Sequence, residues 1–98
     1  MGGEYLFLMH DDAAGPVDPS AWAEYFARLR SCDAFLGGSA IGGGSCHRRD
    51  GANRPIHEAI GGYVKIRAED AQAAAALLAG NPVYEAGGTV EIRELPRD

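Results

Sequence analysis

His57-Glu58-Ala59-Ile60-Gly61-Gly62-Tyr63-Val64-Lys65-Ile66-Arg67-Ala68-Glu69-Asp70-Ala71-Gln72 holds a strand entry, a strand and the start of a helix in one unbroken reading. Gly61-Gly62 leaves room for close backbone approach or a positive φ. From Tyr63 to Arg67 the residues alternate: Val64 and Ile66 share one face, Tyr63, Lys65 and Arg67 the other. Glu69 and Asp70 follow, acids suited to the positive end of a helix. This pattern needs a layer of helices on the Val64–Ile66 side, and the rest of the chain supplies it.

Upstream, Glu4 to His10 reads as the first strand, with Tyr5, Phe7 and Met9 pointing one way and Leu6, Leu8 and His10 the other. Both faces are apolar. A sheet covered by helices on one side needs only one such face, so the second calls for a cover, such as a partner subunit's sheet. After a polar turn over residues 11–17, Asp18 caps a helix and Pro19 suits its first position. Trp22, Tyr25, Phe26 and Leu29 form its apolar stripe, and Gly37-Gly38 is expected to stop it. A weak second strand is expected around Ser39, Ala40 and Ile41. Gly42-Gly43-Gly44 reads as a bulge and flexible loop, because neither Gly-x-Gly-x-x-Gly nor Gly-Lys-Ser/Thr is present.

Downstream, Asp70 to Ala79 is predicted to be the second helix, with Ala71, Ala74, Ala75 and Leu78 on one face and Gly80 and Pro82 as its stop. Thr89 to Leu95 is the last strand, Val90 and Ile92 toward the core, Glu91 and Arg93 away. Strand, helix, strand, strand, helix, strand is the split βαβ order of an α+β, ferredoxin-like domain: an antiparallel four-stranded sheet with two helices on one face.

Composition narrows the function. The chain of 98 residues, read as one domain, carries 14 acids against 9 bases, a formal charge of −5. That balance argues against nucleic acid and against anionic membranes as partners. No apolar run reaches the ~18 residues needed to span a bilayer, and Tyr5 to Met9 is too short for a secretory core. A cytoplasmic location follows as the expectation, with Cys32 and Cys46 as reduced thiols and Cys32 at the edge of the core.

The chain resembles the YCII-related family, and within it the DGPF branch, over nearly its whole length. That branch typically reads Asp-Gly-Pro-Phe, then Lys-Glu-x-Ile/Leu-Gly-Gly-Tyr/Phe. Here Asp50-Gly51 precedes His57-Glu58-Ala59-Ile60-Gly61-Gly62-Tyr63 at the right distance, with Ala52-Asn53 replacing Pro-Phe and His57 replacing Lys. Glu91-Ile92-Arg93 matches the terminal run. The resemblance implies a dimeric α+β barrel, two ferredoxin-like sheets facing each other, and no known reaction. Some members carry a His on the first helix and an Asp in an Asp-Pro pair after the second, a suspected dyad. By helix register those positions hold Tyr25 and Asn81 here. Tyr and Asn hydrogen-bond but do not titrate near neutral pH.

Two functional classes follow from these residues. The first is an accessory or small-ligand-binding homodimer without the dyad. Arg48, Arg49 and Arg54, the basic concentration of an acidic chain, would hold a small anionic metabolite, joined by His57 and Asn81. The second is a small enzyme acting on an organic-acid-like metabolite through His10 with Asp11 or Tyr25, a His beside carboxylates being tunable as a base. It requires His10, Tyr25 and Asn81 at one concave pocket. Cys46, His47 and His57 lack the paired spacing of a zinc site, so neither metal nor cofactor is expected. Tyr63, Lys65, Arg67, Glu91 and Arg93 would line the space between two facing sheets.

Overall fold

The structure, a computed structural model, describes residues 2–97. Its elements are β1 (Gly3–His10), α1 (Pro19–Ser31), β2 (Phe35–Ala40), β3 (Ile60–Ala68), α2 (Ala71–Ala76), α3 (Pro82–Glu85) and β4 (Val90–Leu95). The strands form one sheet in the order β2-β3-β1-β4, every neighbouring pair antiparallel. This is the expected α+β, ferredoxin-like arrangement, with one additional helical turn.

Alternation decides which face is which. Tyr5 opposes Ile66 and Phe7 opposes Val64 across the β1–β3 ladder, so these side chains share a face. Phe7, Val64 and Ile66 are fully buried there against Tyr25, Leu29, Ala74 and Leu78 from the helical layer. Phe7, Val64, Ile66 and Leu29 each contribute about 1.5–3 kcal/mol by leaving water. Along the other face run Leu6, Leu8 and Tyr63, half-buried, flanked by ion pairs: Lys65–Glu4 at 3.1 Å, His10–Glu91 at 3.1 Å and Arg93–Glu91 at 2.9 Å. Among the described residues no helix covers this face. The molecule is accordingly thin, 18 Å along its shortest axis, one sheet and one helical layer.

The helix starts follow the sequence closely. The Asp18 carboxylate accepts from the Ser20 amide at 3.0 Å, with Pro19 at the first position of α1. Asp70 accepts from the Ala73 amide at 2.8 Å and so caps α2 rather than sitting in its first turn.

The helix ends differ from expectation. Gly37-Gly38 does not stop α1; it lies inside β2, beside a register shift between Phe35 and Gly37. The stop is Asp33, in the left-handed region at φ 57°. The amide of Asp33 donates to the Arg30 carbonyl (3.1 Å) and that of Ala34 to the Leu29 carbonyl (2.8 Å). This is a Schellman closure with Asp where Gly is usual. Cys32, the C-cap, is exposed rather than at the edge of the core. β2 consequently starts earlier than expected, at Phe35, whose ring packs on Phe26 with centroids 5.0 Å apart.

α2 is also shorter than the predicted span, and Pro82 starts a helix as well as following one. Asn81 accepts from the amides of Val83 (3.0 Å) and Tyr84 (3.1 Å), and Pro82 takes the first position of α3. Its end is a second Schellman closure: Gly87 and Gly88 amides donate to the Tyr84 (3.1 Å) and Val83 (2.8 Å) carbonyls, with Gly87 at φ 85°. Residues 41–59 connect β2 to β3 with no regular structure and are mostly exposed.

Candidate functional site

A cavity of about 420 Å³ opens on the helical side of the sheet, at the C-terminal end of β1. Its origin lies in missing side chains. On that face β2 presents Gly38 and Ala40 and β3 presents Gly62, so the corner beneath the first half of α1 holds little volume. The two glycines cannot easily be replaced. A Cβ on Gly38 would stand 3.0 Å from the Tyr63 carbonyl oxygen, and one on Gly62 3.2 Å from the Ser39 carbonyl oxygen and 3.4 Å from Met9 Cε. Close strand approach therefore demands glycine, and glycine leaves a floor of bare backbone.

Trp22 and Phe26, one helical turn apart on α1, form the walls, their ring centroids 5.4 Å apart and tilted by 35°. Met9, Val17 and Val83 complete an apolar lining. About 420 Å³ falls within the ~300–1,000 Å³ of small-molecule sites.

His10 and Asp11 bring polar chemistry to the rim. The backbone fixes their position: the His10 amide donates to the Thr89 carbonyl (2.9 Å) and the Asp11 amide to the Ala59 carbonyl (2.6 Å). His10 Nε2 lies 3.1 Å from Glu91 Oε1 on the open face. Glu91 is held below its ordinary carboxylate value, first by the Arg93 hydrogen bond and then by His10. Asp12 accepts from the Thr89 amide (2.8 Å) and hydroxyl (2.7 Å), and these two bonds lower its pKa. The Asp11 carboxylate, beside Gly61, makes no hydrogen bond or ion pair among the described residues.

Tyr25 and Asn81, placed together by helix register in the sequence, are neighbours in the structure. Both lie in the core, 1% and 0% exposed, and neither lines the cavity. The Tyr25 hydroxyl donates to the Leu77 carbonyl at 2.8 Å. Burial pushes its pKa up, with Asn81 and Arg28 acting in the opposite direction. Asn81 Nδ2 stands close enough to act on that hydroxyl, yet makes no hydrogen bond of good geometry among the described residues. His10 lies on the other side of the sheet from Tyr25. The enzymatic constellation of His10, Tyr25 and Asn81 is thus divided between two faces.

Arg48, Arg49, Arg54 and His57 are all exposed on the 41–59 connection, and none lines the cavity. His47 Nε2 pairs with Ser45 Oγ (2.8 Å), and Cys46 Sγ donates to the Pro55 carbonyl (3.6 Å). Among the described residues no three His, Cys, Asp or Glu side chains are grouped to hold a metal ion. Sequence reasoning missed Trp22 and Phe26 as cavity walls, assigning them to the core stripe. It also missed Gly38 and Gly62 as its floor; two glycine pairs at strand positions were the available signal.

A family model described as YCII-related domain matches residues 4–97, β1 through β4. No curated protein matches the chain.

Proposed function

The chain belongs to the YCII-related family, and on that premise we propose that it is a small-ligand-binding, accessory homodimer of the DGPF branch. The observation that carries the reading is the apolar cavity floored by Gly38 and Gly62 and walled by Trp22 and Phe26. The enzymatic alternative is less well supported, because Tyr25 and Asn81 are sealed in the core and His10 is committed to Glu91. Support for the branch is Asp50-Gly51 followed by Glu58 and Gly61-Gly62-Tyr63.

Support for the dimer is the open sheet face. Its centre is apolar, Leu6, Leu8 and Tyr63, and its rim carries both signs of charge, as a self-complementary two-fold contact requires. The free thiols of Cys32 and Cys46 fit a reducing cytoplasm, and no helix is long and apolar enough to cross a membrane among the described residues.

The test is a thermal-shift screen of a metabolite pool, followed by titration of Trp22 fluorescence, Trp22 being the only tryptophan. A ligand of the native state raises the melting temperature by mass action. Ala40, exposed at the cavity edge, offers a blocking variant, Ala40→Leu. Hits should shift the parent protein and not this variant. A pool that shifts neither protein, or both equally, refutes the cavity as the site.

A further inference from the structure

We propose that the cavity takes a small arylalkylamine, a planar aromatic body with a protonated amine, with Asp11 as its counter-ion. The inference rests on the reading of this cavity as a ligand site and assigns the class of ligand.

The shape argues for the ring. Two aromatic side chains stand over a floor stripped to backbone by Gly38 and Gly62, which makes a slot. An aromatic guest there can pack offset or edge-on against Trp22 and Phe26. The Met9 thioether, also in the lining, is a favourable neighbour for a ring edge.

The charge argues for the amine. His10, Asp11 and Tyr63 are the ionisable residues of the lining, and of these Asp11 alone is an acid that is charged at neutral pH. His10 is held by Glu91, and the nearby Asp12 by Thr89. Of His10, Asp11 and Asp12, Asp11 is the one whose side chain makes no hydrogen bond or ion pair among the described residues, and it is exposed. No Lys or Arg lines the cavity, since Arg48, Arg49 and Arg54 lie on the exposed connection. A carboxylate guest would therefore meet an uncompensated like charge, and an ammonium guest an available one. The face of Trp22 adds cation–π attraction to a cation passing the rim.

Three probes of matched shape decide the point: 2-phenylethylamine, 2-phenylethanol and 3-phenylpropanoate. Binding is read from Trp22 fluorescence and from amide shifts of Gly38, Ala40 and Gly62. The amine is expected to bind about two- to fivefold more tightly than the alcohol, the range of an exposed ion pair, and the acid most weakly. The amine's advantage should shrink with salt and vanish in Asp11→Asn. That variant should fold normally, because the carboxylate has no partner among the described residues and the Asp11 amide keeps its bond to Ala59. Equal or tighter binding of the acid, or an amine preference that survives Asp11→Asn, overturns the assignment of class and leaves the cavity as a site. Failure of all three probes to move those amides overturns the aryl assignment, whereas the cavity as a site is refuted only by the pool screen with Ala40→Leu.

Discussion

Replacing Tyr25 by Phe separates a structural hydroxyl from a functional one. The ring stays, so the apolar burial of a side chain only 1% exposed is retained. What goes is the 2.8 Å bond to the Leu77 carbonyl and the hydroxyl on which the Asn81 side chain acts. A neutral hydrogen bond contributes ~1 kcal/mol net, and an orphaned buried partner adds to the loss, giving about 1–2 kcal/mol. For a domain of this size that is a fall of roughly 4–16 °C in melting temperature. The alkaline limb gives a second readout. Burial raises the Tyr25 pKa above its ordinary value of 10.0. The folded parent therefore holds this proton more tightly than the unfolded chain does. That contribution is intact below pH ~10 and is lost as pH rises through the folded value. Phe has no such proton, so the gap between the two proteins should narrow above pH ~10. Urea unfolding followed by circular dichroism at pH 7 and above pH 10 measures both effects. Equal stability at pH 7, or a gap that widens in alkali, would refute the reasoning.

Asp12→Asn should flatten the acid limb. The Thr89 hydrogen bonds depress the Asp12 pKa below 3.8, so its stabilisation is present above that value and lost as pH falls through the folded value. Urea unfolding between pH 5 and pH 2 should show a steeper decline for the parent than for the variant. Leu8→Asp places a carboxylate beside Glu91, which Leu8 faces across the β1–β4 ladder, at the apolar centre of the open face. Sedimentation velocity at micromolar concentration should show a dimer for the parent and a monomer for the variant, and a monomeric parent defeats the dimer. Asn81→Ala removes the acceptor of two α3 amides at a site 0% exposed, where water cannot substitute. The expected loss is about 1–2 kcal/mol, toward the upper end for a cap, readable by calorimetry.

The fold was legible wherever a period was clean. Tyr5, Phe7 and Met9 against Leu6 and Leu8, and Val64 and Ile66 against Lys65 and Arg67, gave both central strands and their buried face. Asp18-Pro19 gave a helix start, because cap and first-position proline act within three residues. Helix ends were harder. Asp33 closes α1 in a conformation usually taken by Gly, so the eye passes on to Gly37-Gly38. Asn81-Pro82 both follows α2 and begins α3; the second role carries the same cap-and-proline signal as Asp18-Pro19, but only one helical turn follows it, too short to show an apolar period. The cavity was hidden for another reason. Gly38 and Gly62 belong to different strands, and an empty volume appears only when pairing brings two missing side chains together. Asp11 was legible as a functional candidate, but its freedom depends on His10 and Asp12 having found partners.

The place of β1 in the sheet carries a consequence for biosynthesis. β1 is made first, yet both its neighbours, β3 and β4, come late, and about 80 residues separate His10 from Val90. At ~5–20 residues per second a ribosome takes roughly 4–16 s to supply them. β3 follows His10 by about 50 residues, so for the first part of that interval Tyr5, Phe7 and Met9 on one side and Leu6 and Leu8 on the other lack any sheet neighbour, and for the rest β1 is paired on one edge alone. Apolar strand surface exposed in this way during synthesis is prone to association, which makes the delay between β1 and its partners the exposed step of folding for this topology.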